Sequence, residues 1–119
     1  MKPISRNARR RAWASMSCTL PAARLPRRVA EFDALFADAV RGIERVGPER
    51  LRLELQASPQ AAGRAAELAA AETQCCSFFT FTLTATGGGL ALEVSVPQPY
   101  IGVLDGLAGR AAAAAGLAS

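Results

Sequence analysis

The side chains of this 119-residue chain that could carry out chemistry are three cysteines, Cys18, Cys75 and Cys76. The chain contains no histidine, which excludes Ser-His and Cys-His catalytic pairs and histidine-ligated metal sites. Hg(II), Cu(I) and As(III) accept two or three sulfur ligands, whereas Zn(II) usually takes four and would lack a fourth Cys or His here. The sequence therefore predicts that thiolates bind a soft metal or metalloid ion.

The spacing of the cysteines supports this prediction. Cys75 and Cys76 are adjacent, at a predicted junction between a helix and a strand, where both sulfurs can turn toward one point. Glu72 lies one helical turn before Cys76 and could add a carboxylate. Cys18 lies in a separate short extended segment, and its sulfur would join the pair if that segment lies near the strand that follows Cys76. We expect Cys18, Cys75, Cys76 and Glu72 to be the metal ligands.

Two other interpretations of the cysteines stay open. Cysteine is often a small buried apolar residue, so all three could be structural. They could also serve in thiol redox chemistry or covalent catalysis. However, a helix C-terminus disfavours the thiolate and no lysine is near in sequence, whereas a bound metal deprotonates thiols by itself. A binding protein is therefore favoured over an enzyme.

Three segments, SCTLP at 17–21, AEFD at 30–33 and ETQCCSFFTF at 72–81, resemble a family of small, poorly characterised actinobacterial proteins. That family is associated with heavy-metal resistance, mercury in particular, and the resemblance covers roughly residues 17–110. It implies that Cys18, Cys75 and Cys76 are signature thiols with Glu72 as an accompanying acid. The resemblance supports the metal-binding interpretation, and from the vicinal thiols we expect a scavenger, carrier or resistance accessory.

One enzymatic alternative is an organomercurial lyase, which uses paired cysteines and a carboxylate to protonate a carbon leaving group. Cys18 or Cys76 with Glu72 or Asp105 could form such a set, although the rest of the chain does not resemble those enzymes. The other alternative is a non-catalytic interaction domain that dimerises and has structural cysteines.

Charge is distributed unevenly, and its distribution divides the chain. The net charge of +4 comes from the first residues, which contain five basic side chains and no acid: Lys2, Arg6, Arg9, Arg10 and Arg11. Only Trp13 accompanies them, so nucleic-acid binding is not expected.

No apolar run approaches the roughly 18 residues of a membrane span. An odd cysteine count and no export signal predict reduced thiols in the cytoplasm. We predict a basic disordered leader over 1–15 and one domain over 16–116.

Hydrophobic periodicity predicts the element order β-α-β-α-β-β-α. The predicted helices cover 27–45, 59–74 and 99–115, and the predicted strands cover 16–20, 50–57, 78–86 and 90–96, with Gly87–Gly89 as a hairpin turn. Each long strand has one apolar and one polar face, which predicts an α+β two-layer sandwich, a mostly antiparallel sheet with helices on one face. The polar sheet face would be solvated or form a homodimer interface. One core is expected to contain Phe32, Phe36, Leu53, Phe81, Leu92 and Leu104.

Because residues 1–15 lack an apolar period, we expect their deletion to leave the domain folded. The melting temperature of a chain beginning at Met16 should stay close to that of the full chain in thermal denaturation. A greatly lowered melting temperature would show that this segment belongs to the folded domain.

Overall fold

The computed structural model describes residues 25–117, which form an α+β fold of three helices and a four-stranded antiparallel sheet. The helices are α1 (Leu25–Ala39), α2 (Pro59–Cys75) and α3 (Ile101–Ala115), and a short 3-10 turn, Gln98–Tyr100, precedes α3. The strands are β1 (Val40–Gly47), β2 (Arg50–Leu55), β3 (Thr80–Thr86) and β4 (Gly89–Ser95). The predicted leader and the predicted strand over 16–20 lie outside the described residues. None of these three helices is both long and apolar enough to cross a bilayer.

The sheet has the strand order β1-β2-β4-β3, and every neighbouring pair is antiparallel. Strict alternation places Leu51, Leu53 and Leu55 of β2 on the same face as Leu90 and Leu92 of β4. These five leucines are buried. The predicted two-layer arrangement is confirmed, because the helices pack against this apolar face.

The predicted helix over 27–45 is wrong over its last six residues, 40–45. Helix α1 ends at Ala39, and the chain continues directly as strand β1. The apolar spacing of residues 40–45 resembles that of a helix because of a register shift between Val40 and Gly42. The shift places both Val40 and Ile43 opposite leucines of β2 that face the helices. Residues three apart lie on opposite faces of a regular strand, but a bulge brings them to the same face and so imitates helical spacing. Among the described residues the order is therefore α-β-β-α-β-β-α.

The other predicted elements are close to those observed. The β3–β4 hairpin closes through Gly87 and Gly88, which have φ of 57° and 78°. Positive φ at both turn positions suits a two-residue hairpin and favours glycine. Thr86 pairs with Gly89, so the third glycine of the run belongs to the ladder and not to the turn.

The core lies between the sheet and the helix layer. Five of the six predicted core residues are buried there: Phe32, Phe36, Leu53, Leu92 and Leu104. Phe81 packs against this core but is only partly buried, because β3 is an edge strand. The rings of Phe32 and Phe36 lie 5.8 Å apart on α1 and anchor this helix in the core.

We expect Phe36→Ala to lower the free energy of unfolding by about 3–5 kcal/mol, because it leaves a cavity in a fully buried part of the core. Urea denaturation measures this change. Val46→Ala is the control, because Val46 is 47% exposed and should matter little. Equal stability of the two variants would contradict this account of the core.

Candidate functional site

The candidate site lies at the C-terminal end of α2, where Glu72, Cys75 and Cys76 are found. The helix begins with Ser58 as N-cap, whose hydroxyl accepts a hydrogen bond from the backbone N–H of Ala61 at 3.1 Å. It ends at Cys75. The backbone N–H of Cys76 still donates to the carbonyl of Glu72 at 2.7 Å, which places Cys76 directly after the last helical turn.

The two cysteines differ in exposure. Cys76 is completely buried and belongs to the core, whereas Cys75 is partly exposed and packs against the core from its surface. After Cys76 the chain turns sharply, and the backbone N–H of Phe79 donates to the Cys76 carbonyl at 3.3 Å. A solvent-borne ion would therefore meet Cys75 first and would reach Cys76 only after a local rearrangement.

Aromatic rings hold the turn that follows the cysteines. The ring of Phe78 stacks on that of Tyr100 at 4.2 Å, with an interplanar angle of 3°. Phe79 is buried between Phe78 and Phe81, at centroid distances of 4.6 and 5.3 Å. These contacts attach the chain after Cys76 to the rest of the domain, so the position of the thiols depends on the aromatic cluster.

Glu72 is the unusual member of the site. Its side chain is 0% exposed, and no other charged residue in the described part of the chain is buried. Its Oε1 accepts a hydrogen bond from Nη1 of Arg28 on α1 at 3.0 Å, whereas Oε2 has no hydrogen-bond partner among the described residues. Burial raises the pKa of the Glu72 carboxyl, and the charge and hydrogen bond of Arg28 oppose that rise.

The sequence indicates Glu72 as a candidate ligand, but it does not indicate that Glu72 is buried or that it pairs with Arg28. Arg28 precedes Phe32 by four residues, so it lies on the apolar stripe of α1. A cation on a buried stripe is a signal that it has a buried anionic partner, although the sequence does not identify that partner. Asp105, the other acid considered for the site, is exposed on α3 and contacts Arg45 at 2.8 Å.

The described residues do not contain a complete metal centre. No group of three or more Cys, His, Asp or Glu side chains is arranged to hold an ion within 25–117. Glu72, Cys75 and Cys76 thus share a helix end without forming a three-ligand set. Cys18 lies outside the described residues, so its convergence with the pair stays a prediction.

Comparisons of this chain with models of known families, with curated proteins and with solved structures found no match. The resemblance of residues 17–21, 30–33 and 72–81 to a metal-resistance family therefore stays an expectation.

The raised pKa of Glu72 makes the stability of the domain depend on pH. A carboxyl whose pKa is higher in the folded chain than its ordinary value of 4.5 destabilises the fold as it ionises. Wild-type stability should therefore fall, relative to Glu72→Gln, as pH rises from below 4.5 through the higher folded-state pKa. Urea denaturation between about pH 4 and pH 8 measures the difference.

The matched control for this experiment is Glu67→Gln, on the exposed side of the same helix. It removes the same charge without touching a buried group. If the free energies of unfolding of the wild type and Glu72→Gln differ by a constant amount across this pH range, ionisation of Glu72 does not limit stability.

Proposed function

We propose that the end of α2 is a thiol site that binds a soft metal or metalloid ion, such as Hg(II), Cu(I) or As(III). In this proposal Cys75 and Cys76 are the thiolate donors and Glu72 is an accompanying acid. The ion is cargo, and the protein acts as a scavenger, carrier or resistance accessory and not as a catalyst. A reducing compartment such as the cytoplasm is the setting that keeps such thiols available.

The observation that carries this proposal is the buried Oε2 of Glu72, which has no hydrogen-bond partner among the described residues. Burying a carboxylate oxygen without a partner is costly, and a leucine or methionine at this position would avoid that cost. The equivalent positions earlier on α2 are small and apolar, Ala61 and Ala65. An acid kept there, one turn before two thiols, is better explained by chemistry than by packing.

The donor types determine which ions the site would prefer. Thiolates bind soft ions, and two sulfur donors satisfy Hg(II) or Cu(I). Each bound thiol loses its proton, so uptake of one ion by two thiols releases two protons. Glu72 can accept one of these protons, and the neighbouring Arg28 offsets negative charge near the site. Zn(II) should bind weakly, because two thiols and one acid do not complete its usual four ligands.

A second candidate function is cleavage of an organomercurial, favoured by the same buried acid beside the thiols. The two cysteines, having released their protons to solvent, would bind the mercury of R–Hg⁺ through two Hg–S bonds, and the Glu72 carboxyl would donate its proton to the carbon and become a carboxylate. The carbon–mercury bond would break, the hydrocarbon R–H would leave, and Hg(II) would stay on the two sulfurs. Release of hydrocarbon from an alkylmercury thiolate distinguishes this activity from binding alone.

The interaction-domain alternative relies on the polar face of the sheet. On that face Arg52 contacts Glu54 at 2.8 Å and Glu93 at 3.7 Å within one chain. Because these charges already have partners, dimerisation through this face would gain little from them and would remove them from water. We infer that the polar face stays solvated.

The test of the proposed function is mass spectrometry of the reduced full-length protein with Hg(II), Cu(I), As(III) and Zn(II) in competition. We expect one soft ion per chain in preference to Zn(II), bound more tightly at higher pH because the thiols must ionise. Cys75→Ser combined with Cys76→Ser should abolish tight binding, whereas Glu72→Gln should weaken it much less, by about 10–100-fold.

Two further variants make this test decisive. Cys76→Ala replaces the buried thiol without adding a hydroxyl to the core, and urea denaturation of this variant shows whether a loss of binding comes with a folded domain. Cys18→Ser shows whether a third sulfur participates. If the double serine variant is folded and binds Hg(II) as tightly as the parent, the pair is structural and the proposal is wrong.

A further inference from the structure

The two edges of the sheet differ in how they are protected. Edge strand β1 carries Arg41, Glu44 and Arg45, and its pairing with β2 has two register shifts. Charges and bulges of this kind discourage pairing with another strand. Edge strand β3 has neither charges nor bulges. It pairs with β4 without a register shift over seven residue pairs, from Thr80 opposite Ser95 to Thr86 opposite Gly89. Among residues 25–117, β4 is the one strand that pairs with β3, so no described strand covers the outer edge of β3.

The composition around β3 also lacks the usual protection. No charged residue and no proline occurs between Glu72 and Glu93. Five of the seven residues of β3 are exposed, and the other two, Phe81 and Leu83, are only partly buried. The helix layer therefore leaves this strand incompletely covered, both at its backbone edge and on its apolar face.

The sequence of β3 is nearly palindromic about Leu83. It is TFTLTAT, with threonine at every second position: Thr80, Thr82, Thr84 and Thr86. An antiparallel pairing of two identical copies, centred on Leu83, would place threonine opposite threonine on one face. On the other face it would place Leu83 opposite its own copy and Phe81 opposite the small Ala85. Threonine pairs are favourable cross-strand neighbours, and a small residue opposite Phe81 leaves room for its ring.

We propose that β3 is a homodimerisation edge, through which two copies of this chain join their sheets into one eight-stranded antiparallel sheet. The interface has two-fold symmetry, so each residue meets the residue related to it by the pairing about Leu83. No like charges face one another, because β3 is uncharged. This interface uses the strand edge and leaves the charged polar face of the sheet in water.

A second copy fits this edge better than an unrelated extended peptide would. Any peptide could satisfy the open backbone groups, since that pairing does not depend on sequence. The strand's own two-fold copy also matches its side chains, because it places threonine opposite threonine and Ala85 opposite Phe81. The partly exposed Phe81 and Leu83 would then be covered by side chains of the same hydrophobic row.

Sedimentation equilibrium of the full chain tests this proposal, with a reductant present so that disulfides between chains do not contribute. We expect a concentration-dependent rise in mass from 12.4 kDa to twice that value. Combining Thr82→Lys with Thr84→Lys adds exposed charges that would face each other across the interface. This variant should raise the dimer dissociation constant at least about tenfold.

The control variant combines Ala66→Lys with Ala70→Lys, which adds the same charge at exposed positions of α2. It should dimerise like the parent. Amide hydrogen exchange of the wild type is an independent measurement: protection of β3 should increase with protein concentration, and protection of β1 should not. A monomer even at millimolar concentration, or a folded Thr82→Lys, Thr84→Lys variant that dimerises like the parent, would overturn the proposal.

Discussion

The concentration of large apolar side chains on one face of the sheet is the constraint on which the rest of the domain depends. The leucines of β2 and β4 alternate with polar residues, so one face must be covered and the other can remain in water. Three helices cover the apolar face, and this packing brings the end of α2 into the core. Cys76 and Glu72 are buried because that helix end is buried.

The ion pair between Arg28 and Glu72 connects this constraint to the candidate site. It joins the first half of α1 to the last turn of α2, with Glu72 fully buried and the Arg28 side chain 14% exposed. A buried pair of this kind is weak support for stability, since desolvation of both charges offsets much of their attraction. The oxygen of Glu72 that Arg28 does not reach makes the arrangement less favourable still. The site therefore carries an energetic cost that the apolar core compensates.

The two edges of the sheet show how local sequence controls association. Strand β1 is interrupted by bulges and carries Arg41 and Glu44, features that make a poor template for another strand. Strand β3 is regular and uncharged, and the thiol site lies just before it in the chain. The uncharged stretch between Glu72 and Glu93 thus contains both the candidate ligands and the open edge. Any partner bound to β3 would lie on the strand that the aromatic turn connects to Cys76.

Short-range patterns along the chain specify most of the local elements. Alternation specified β2 and the β3–β4 hairpin, Ser58 and Pro59 specified the start of α2, and the adjacent cysteines were visible as a pair. Long-range packing decided that residues 40–47 form a strand, because the bulge after Val40 imitates helical spacing and the strand is stabilised by its pairing with β2. It also decided that Glu72 is buried against Arg28. These two residues are 44 positions apart, and their contact depends on how two helices pack on the sheet, which no local pattern encodes.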